Sequence, residues 1–262
     1  MQPELSDMTL LARQAGAILR EGFGRQHQVD HKGVTDIVTE VDRQSEEFLT
    51  SQILSRFPGD SIQGEENGLT QGSNHRVWYV DPLDGTVNFA HGMPIFSVSL
   101  ACAWDGAVQL GVVYDPIRDE MFSAQRGKGA WLNDAPIHVS ETAELIDALL
   151  VTGFPYTIRE QMATNLDHFA NFSVRVQSLR RLGSAALDLC YVAAGRLDGY
   201  WEIGIKSWDI AAGGLILEEA GGCITTLRGD AQYFKPPYDM VCANPKLHPH
   251  MLEVLQKGNT RS

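Results

Sequence analysis

Residues 77–89, VWYVDPLDGTVNF, change abruptly from strand-forming to turn-forming residues, and the other predicted elements are arranged around this point. The first four residues are apolar, aromatic or β-branched, which is typical of a short buried strand. Asp81-Pro82 follows at once, and because proline has no N–H and Gly85 favours a turn, we expect the strand to end here. Two carboxylates, those of Asp81 and Asp84, would then lie together at one strand end.

Downstream of this segment, the sequence predicts an antiparallel sheet. Asp105-Gly106 separates the apolar runs 96–104 and 107–114, and this dipeptide is the strongest short hairpin signal in the chain. Segments 120–124 and 130–139, the second with Asn133-Asp134 at a turn, extend the predicted sheet.

Upstream, two amphipathic helices are predicted. Apolar residues recur at spacings of three and four between residues 5 and 23. A second helix follows Thr39, with Asp42 at the third position after this cap, and Pro58-Gly59 ends the pattern. Asp42 is therefore expected in the first turn of a helix.

After residue 145 the chain changes to alternating strands and helices. The expected elements are a strand at 146–151, a helix at 159–172, a strand at 174–179, a helix opened by Ser184, a strand at 197–202, and a helix that is capped by Ser207 and runs to Ala220. No linker rich in proline, glycine or serine separates the halves. We therefore expect two subdomains, 1–145 and 146–262, packed into one layered α/β (α+β) body.

Composition narrows the possible functions. The 262 residues are 44% hydrophobic and 21% charged, enough for a proper core. With 33 acidic against 21 basic residues, the net charge of -12 disfavours nucleic acid and anionic membrane surfaces as partners. Because the same field repels a phosphorylated substrate, phosphate chemistry here would require bound cations.

Two further expectations concern cellular environment. The four cysteines lack the spacing of a zinc site, so we expect free, buried thiols. No export signal is recognisable at the N-terminus, and no apolar run approaches the roughly 18 residues of a membrane span. The sequence therefore predicts a cytoplasmic protein without a membrane partner.

Acidic residues gather at three predicted element ends. Glu65-Glu66 lies in a loop after an apolar stretch, Asp81 and Asp84 follow the strand, and Asp209 falls in the first turn of a helix. Magnesium is bound in proteins by a few carboxylates together with water and phosphate oxygens. The three clusters are thus candidate magnesium ligands.

The turn after the strand could support a two-metal site. Asp81, Asp84 and the Leu83 carbonyl can point toward one centre, and Thr86 is near enough to orient a water molecule. Each feature also has an ordinary explanation, because Asp-Pro and Asp-Gly are common turn dipeptides and an acidic residue in a first turn favours the helix dipole. The metal-site interpretation depends on finding all three clusters in one chain.

Three motifs together resemble the inositol monophosphatase family of magnesium-dependent, lithium-sensitive phosphatases. They are Gly64-Glu65-Glu66, the segment 78–89, and Trp208-Asp209-Ile210-Ala211-Ala212-Gly213. Their order and separation also agree, and the resemblance extends from the first helix through Gly222. It implies a layered αβαβα sandwich, with an N-terminal α+β subdomain carrying most metal ligands and a C-terminal α/β subdomain supplying Asp209 and substrate contacts.

The resemblance implies a site for two or three Mg²⁺ ions. Glu65, Asp81 and the Leu83 carbonyl would hold one ion, and Asp81, Asp84 and Asp209 a second. Asp81 would bridge the two.

Catalytic roles are also implied by the resemblance. Glu65 and Thr86 would position the attacking water, with Asp42 hydrogen-bonding behind Thr86 and near a more weakly held third ion. Lys32 and Asp36 would belong to a mobile loop that covers the metals.

For the substrate, the resemblance implies a small phosphorylated polyol. The amides of Gly85 and Thr86 would receive phosphate oxygens, Gly183-Ser184-Ala185 would contact the sugar ring, and Glu202 would accept hydrogen bonds from inositol hydroxyls. Asp209 would face the substrate as well as the metal. Taken alone, Ser184 could be an ordinary helix cap and Glu202 a strand-end charge.

The predicted function is therefore hydrolysis of inositol 1-phosphate by metal-activated water in a protein that forms a homodimer. Fructose 1,6-bisphosphate, histidinol phosphate and 3'-phosphoadenosine 5'-phosphate are alternative substrates of related folds, and Arg180-Arg181 could recognise a second phosphate. A non-catalytic binding role, of the kind that some bacterial members of the family have with transcription machinery, is the alternative from another class.

Overall fold

The structure, a computed structural model, describes residues 2–156, 158–159 and 165–257. The helices of this part of the chain are α1 (Leu5–Gly22), α2 (Glu40–Arg56), α3 (Thr86–Ala90), α4 (Leu166–Ser173), α5 (Ala185–Ala193), α6 (Ser207–Glu219) and α7 (His248–Gln256). A short 3-10 helix occupies Leu145–Asp147.

The strands form a hairpin and two larger sheets. They are β1 (Val29–His31), β2 (Ile37–Thr39), β3 (Ser61–Gly64), β4 (Leu69–Thr70), β5 (Val77–Asp84), β6 (Ser97–Trp104), β7 (Ala107–Asp115), β8 (Glu120–Gln125), β9 (Ala130–Leu132), β10 (Ala135–Pro136), β11 (Leu149–Thr152), β12 (Ser178–Arg180), β13 (Gly199–Glu202), β14 (Cys223–Thr225) and β15 (Met240–Ala243). The larger sheet has the order β10-β9-β8-β7-β6-β5-β3-β4, and the smaller has the order β12-β11-β13-β15-β14.

Three apolar clusters show how the layers stack. Helices α1 and α2 pack on one face of the larger sheet, with Leu11 and Leu49 among the contacts. Helices α5 and α6 fill the space between the sheets, and α4 and α7 cover the far face of the smaller sheet, where Phe172 and Met251 are buried. The predicted layered αβαβα architecture is confirmed.

The middle layer depends on a close approach of its two helices. Gly213 lies in the middle of α6, and a Cβ atom built there would be 2.7 Å from Leu189 of α5. Any larger residue would push the helices apart and lose apolar burial in the core between the sheets.

Several predicted elements are confirmed. Helices α1 and α2 lie where the periodicity predicted them, and Thr39 caps α2 with Asp42 at the third position. The hairpin at Asp105-Gly106 joins β6 to β7, and both turn residues have positive φ. All four cysteines are free thiols, and Cys102, Cys190 and Cys242 are buried.

Other expectations were wrong in detail. Strand β5 does not end at Val80 but continues to Asp84. Helix α6 is capped by Lys206, so that Ser207 is its first residue. The strand expected at 174–179 is shorter and begins later, as β12 at Ser178, and α4 ends at Ser173.

One predicted helix falls partly on residues that the structure does not describe. The helix expected at 159–172 corresponds to α4, while residues 160–164 lie outside the described residues.

Every strand of the larger sheet precedes residue 145 and every strand of the smaller sheet follows it. The division into subdomains at this point stays a proposal. None of the described helices is long and apolar enough to cross a membrane.

Candidate active site

The end of β5 is distorted where the acidic residues lie. Asp81 pairs with Ser99 of β6 and Asp84 with Ser97, so three steps on β5 face two steps on β6. A bulge of this kind bends the strand and re-aims its side chains, and the irregular pairing spans Pro82, which has no N–H to donate to the sheet. Gly85 follows with φ 101°, and a Cβ there would lie 2.9 Å from the Ile95 carbonyl.

Asp81 lies at the centre of the acidic group. It is 1% exposed, and its Oδ1 accepts a hydrogen bond from Leu83 N at 3.0 Å. Burial raises the pKa of Asp81 well above its usual value, and repulsion by Glu65, Asp84 and Asp209 raises it further. The four carboxylates therefore repel one another.

Asp84 connects the larger sheet to the middle layer. Its carboxylate accepts hydrogen bonds from the Ser184 hydroxyl at 2.6 Å and from the backbone N–H groups of Ala186 at 2.8 Å and Ala185 at 3.1 Å. Burial raises the pKa of Asp84, although these hydrogen bonds oppose the shift. The carboxylate of Asp84 thus accepts hydrogen bonds from the first amides of α5, about 100 residues later in the chain.

Asp209 enters from the start of α6. It is the third residue of the helix, and its Oδ2 accepts a hydrogen bond from Lys206 N at 2.9 Å. Burial raises the pKa of Asp209 well above its usual value, followed by repulsion from Asp84 and Glu65. The C-terminal half therefore contributes a carboxylate to the same acidic group.

The loop at the tip of the β1–β2 hairpin contacts the acidic loop after β3. Lys32 Nζ lies 3.0 Å from Glu65 Oε1 and 2.5 Å from Glu66 Oε1. Burial alone would lower the pKa of Lys32, but attraction to Glu65 and hydrogen bonds to both glutamates outweigh it and raise the pKa. The pKa of Glu65 rises to about 7, mainly through burial and despite its attraction to Lys32.

Thr86 and Asp42 form the hydrogen-bonded pair that the resemblance implies. The Thr86 hydroxyl lies 2.8 Å from Asp42 Oδ1 and 3.1 Å from the Leu83 carbonyl. Thr39 holds the other carboxylate oxygen, through its N–H at 2.9 Å and its hydroxyl at 2.5 Å. The capping box of α2 therefore also orients the acceptor for Thr86.

The donor set fits a hard divalent cation in its chemistry. Carboxylates of Glu65, Asp81, Asp84 and Asp209, with one nearby carbonyl, are magnesium ligands by type, and a cation would relieve their repulsion. Within the described residues, no three Asp, Glu, His or Cys side chains have the geometry of a metal site. The oxygens of the four carboxylates accept hydrogen bonds instead, from the start of α5, from Lys32 and from nearby backbone amides.

A cavity of about 450 Å³ joins these groups. Of the metal-binding, catalytic, substrate-binding and loop residues that the family resemblance implies, only Asp42 is absent from its lining, because it lies behind Thr86. The others line it together: Lys32, Asp36, Glu65, Asp81, Leu83, Asp84, Gly85, Thr86, Gly183, Ser184, Ala185, Glu202 and Asp209. Lys32 and Asp36 are joined at the hairpin tip by a hydrogen bond from Lys32 N to Asp36 O at 2.9 Å.

Glu202 lies on the wall of the cavity contributed by the smaller sheet. The Tyr200 hydroxyl donates a hydrogen bond to Glu202 Oε2, and burial raises the pKa of Glu202 to about 7. A Cβ at residue 153 would lie 2.3 Å from both Glu202 oxygens, so Gly153 leaves the space that this carboxylate occupies.

Several lining or supporting residues were missed from the sequence. Glu46, 1% exposed, accepts hydrogen bonds at 2.8 Å from the N–H groups of Glu66 and Asn67 and so supports the Glu65 loop. Asp188 lines the cavity, as do residues 153–156. Spacing could have indicated two of these residues, because Glu46 and Asp188 each lie four residues, about one helical turn, after Asp42 and Ser184.

The two arginines singled out from the sequence are in different places. Arg181 lines the cavity, and its guanidinium lies 5.9 Å from the centre of the Phe154 ring. Arg180 is exposed and donates a hydrogen bond to the Ser178 hydroxyl. Of this pair, Arg181 is therefore the one that can meet a ligand.

Comparison with known proteins gives consistent results over nearly the whole chain. The model of the inositol monophosphatase family matches residues 2–260. The chain is 42% identical over 259 residues to Nus factor SuhB of Pasteurella multocida, covering 98% of this chain and 97% of that protein. It is 40% identical over 257 residues to inositol-1-monophosphatase of Mesorhizobium japonicum, covering 97% and 96%.

Solved structures agree with the sequence matches. The crystal structure of the extragenic suppressor protein suhB from Bartonella henselae superposes with a TM-score of 0.91 at 38% identity. The match covers 95% of this chain and 97% of that one. Both the layering and the chain order are therefore shared.

Proposed function

The chain belongs to the inositol monophosphatase family, and on that premise we propose that it is a magnesium-dependent phosphatase that hydrolyses inositol 1-phosphate. One observation carries the proposal: four mutually repelling carboxylates meet at a single cavity together with Thr86, whose hydroxyl donates a hydrogen bond to Asp42. A cluster of this kind is suited to cations and, through them, to a phosphate.

The proposed ligands are the residues implied by the motifs. Glu65, Asp81 and the Leu83 carbonyl would hold one ion, and Asp84 and Asp209 would join Asp81 around a second, with a third ion near Asp42. When bound, divalent cations would lower the pKa of water and offset the negative charge of the phosphate.

The chain's own groups would orient the attacking water. With its proton donated to Asp42, the Thr86 hydroxyl presents an oxygen lone pair that can accept a hydrogen bond from water. Glu65 lines the same cavity as Thr86, and its carboxylate would accept a proton from that water once Lys32, which contacts Oε1, moves aside. The amides of Gly85 and Thr86 would hold phosphate oxygens.

The far wall of the cavity would receive the leaving group. Glu202 can accept hydrogen bonds from hydroxyls of a polyol, because the Tyr200 hydroxyl occupies only one of its oxygens. The Ser184 hydroxyl and Ala185 N–H already donate to Asp84, so this segment would shape the cavity mainly through Asp84. Asp209, from α6, would face the substrate from the opposite side.

A panel assay tests the proposal. Phosphate release would be measured from inositol 1-phosphate, fructose 1,6-bisphosphate, histidinol phosphate and 3'-phosphoadenosine 5'-phosphate, with and without magnesium and lithium. We expect magnesium-dependent, lithium-inhibited release that is strongest with inositol 1-phosphate. Strongest release from another phosphate would replace the substrate, and no release from any would contradict the enzymatic proposal.

A second candidate function is a binding role in transcription. It is favoured by relatives that carry the name Nus factor SuhB, among them the Pasteurella multocida protein. Such a role does not require the carboxylate cluster, so it would survive Asp84→Asn while hydrolysis would not.

We further propose that the protein is a homodimer, as the family resemblance implies. Mass measured in solution over a wide concentration range tests this. A strictly monomeric protein would contradict it.

A further inference from the structure

Asp188 is a buried carboxyl group at the wall of the cavity. It lies in the first turn of α5, is 1% exposed, and lines the cavity. Its Oδ1 has no hydrogen-bond partner among the described residues. Buried acceptors are nearly always paired, because an unpaired one loses its hydration without compensation.

The charges around Asp188 do not supply a partner. Burial raises the pKa of Asp188 well above its usual value, with further repulsion from Glu202 and Asp84, and Arg181 opposes this shift. The guanidinium of Arg181 lies over the Phe154 ring, and no described residue donates a hydrogen bond to Asp188 Oδ1. Arg181 is therefore near enough to act through its field but makes no direct contact with Oδ1.

Glu202 provides a contrast on the same wall. One of its oxygens accepts the Tyr200 hydroxyl, and Gly153 leaves the space that holds the carboxylate in place. Part of the hydrogen-bonding capacity of Glu202 is thus satisfied within the protein. For Asp188 Oδ1 no described residue supplies a donor, and the neighbouring residues Ala186, Leu187, Leu189 and Cys190 of α5 are buried. Asp188 borders the cavity, and because Oδ1 itself is enclosed, a ligand hydroxyl would reach it by a rotation of the carboxyl group.

We propose that Asp188 is a specificity-determining residue that accepts a hydrogen bond from a hydroxyl of the leaving group of a phosphorylated polyol. The inference rests on the proposed phosphatase function and deepens it by adding a second acceptor beside Glu202. A leaving group with adjacent hydroxyls can satisfy both carboxylates. A leaving group without hydroxyls leaves Asp188 unpaired, and sites built to bind a hydroxyl reject analogues that lack it.

The test compares two substrates with the same phosphate and different leaving groups. Values of kcat and KM would be measured with magnesium for inositol 1-phosphate and for phenyl phosphate, in the wild type, Asp188→Ala and Asp188→Asn. We expect Asp188→Ala to lower the ratio of the two kcat/KM values at least tenfold, mainly through the KM for inositol 1-phosphate. Asp188→Asn keeps a carbonyl acceptor and should fall between.

Thermal unfolding and a control variant separate this role from a structural one. Asp188→Ala removes a buried oxygen that has no partner among the described residues, so the Tm of this variant should be no lower than that of the wild type. Asp167→Asn, in the exposed first turn of α4, is the matched control. An unchanged substrate ratio, or a parallel loss on both substrates with a lower Tm, would overturn the assignment.

A binding measurement keeps the two proposals distinguishable. If the wild type hydrolyses neither phosphate, the phosphatase proposal fails, and calorimetry with free myo-inositol then decides the role of Asp188. Binding to the wild type that is at least fivefold weaker in Asp188→Ala supports the assignment. Equal binding in both proteins, or no binding to the wild type, overturns it.

Discussion

The Thr86 hydroxyl lies 2.8 Å from Asp42 Oδ1 and so joins the first residue of α3 to the first turn of α2. The bond spans 44 residues of sequence, and Thr39 holds the second oxygen of the same carboxylate. The orientation of Thr86 is therefore set by an element that precedes the larger sheet.

Replacing Thr86 by valine removes the hydroxyl and keeps the shape. We expect kcat to fall about 100-fold, as for loss of a group that orients a proton transfer, with the affinity for Mg²⁺ little changed. The free energy of unfolding should fall by about 1 kcal/mol, because buried Asp42 loses a donor. Steady-state kinetics and urea unfolding measure the two effects. Thr86→Ser should retain most activity, Thr70→Val on exposed β4 is the control, and a kcat within threefold of wild type would contradict the role.

Asp84 is expected to serve the fold and the chemistry together. Asp84→Ala removes the acceptor for two α5 amides, so the free energy of unfolding should fall by about 1–2 kcal/mol, as for a lost helix cap. Activity should be lost in both Asp84→Ala and Asp84→Asn. Asp147→Asn, at an exposed position, should change neither quantity. Phosphate release at the wild-type rate from Asp84→Asn would show that this carboxylate is not used in catalysis.

Lys32 is expected to compete with divalent cations for Glu65. Its ammonium lies 3.0 Å from Glu65 Oε1, and both side chains are partly exposed. Lys32→Met should lower the Kd for Mg²⁺ about two- to fivefold, equivalent to roughly 0.5–1 kcal/mol for a partly exposed ion pair. Isothermal titration calorimetry would measure this, with Lys128→Met on an exposed turn as the control. Weaker magnesium binding in Lys32→Met would show that the lysine assists the ion.

Glu46 is expected to set the position of Glu65 through the loop that follows β3. A glutamine has one acceptor oxygen where the carboxylate offers two, so Glu46→Gln cannot satisfy both Glu66 N and Asn67 N. Stability should fall by about 1–3 kcal/mol, and magnesium should bind more weakly. Its exposed neighbour Glu47→Gln is the control. Loss of stability with unchanged magnesium affinity would restrict Glu46 to a structural role.

Asp60 is expected to make stability depend on acid pH. Burial alone would raise its pKa, but hydrogen bonds from Arg76, Asn74 and Trp78 outweigh this and hold the pKa below its usual value. A carboxyl whose pKa is lower in the folded state stabilises fully above its unfolded pKa of about 3.9, and this contribution disappears as the pH falls through the folded value.

The measurement is urea unfolding between pH 7 and pH 3. At pH 7, Asp60→Asn should be less stable than wild type by about 3 kcal/mol, because Arg76 loses a buried ionic partner. That difference should shrink as the pH falls below about 4, while exposed Asp134→Asn follows the wild type throughout. A difference that stays constant with pH would mean that Asp60 stabilises the fold without depending on its charge.

Helix α2 and the β6–β7 hairpin were predictable because their signals are local. Thr39 and Asp42 stand three residues apart, and Asp105-Gly106 matches the positive φ angles of a tight turn. The end of β5 was predicted less well, because the bulge opposite Ser97 and Ser99 depends on pairing with β6 and leaves no local mark that differs from a turn.

The order of the acidic motifs and their residue types already determined the family, the layered fold and the candidate ligands, because these follow from short segments. The directions of the side chains required the folded molecule. Asp84 is oriented by α5, 100 residues later, Glu66 is held by Glu46, and Asp188 is left unpaired beside the cavity. Hydrogen bonds need donors and acceptors about 3 Å apart, and packing of distant elements sets that distance.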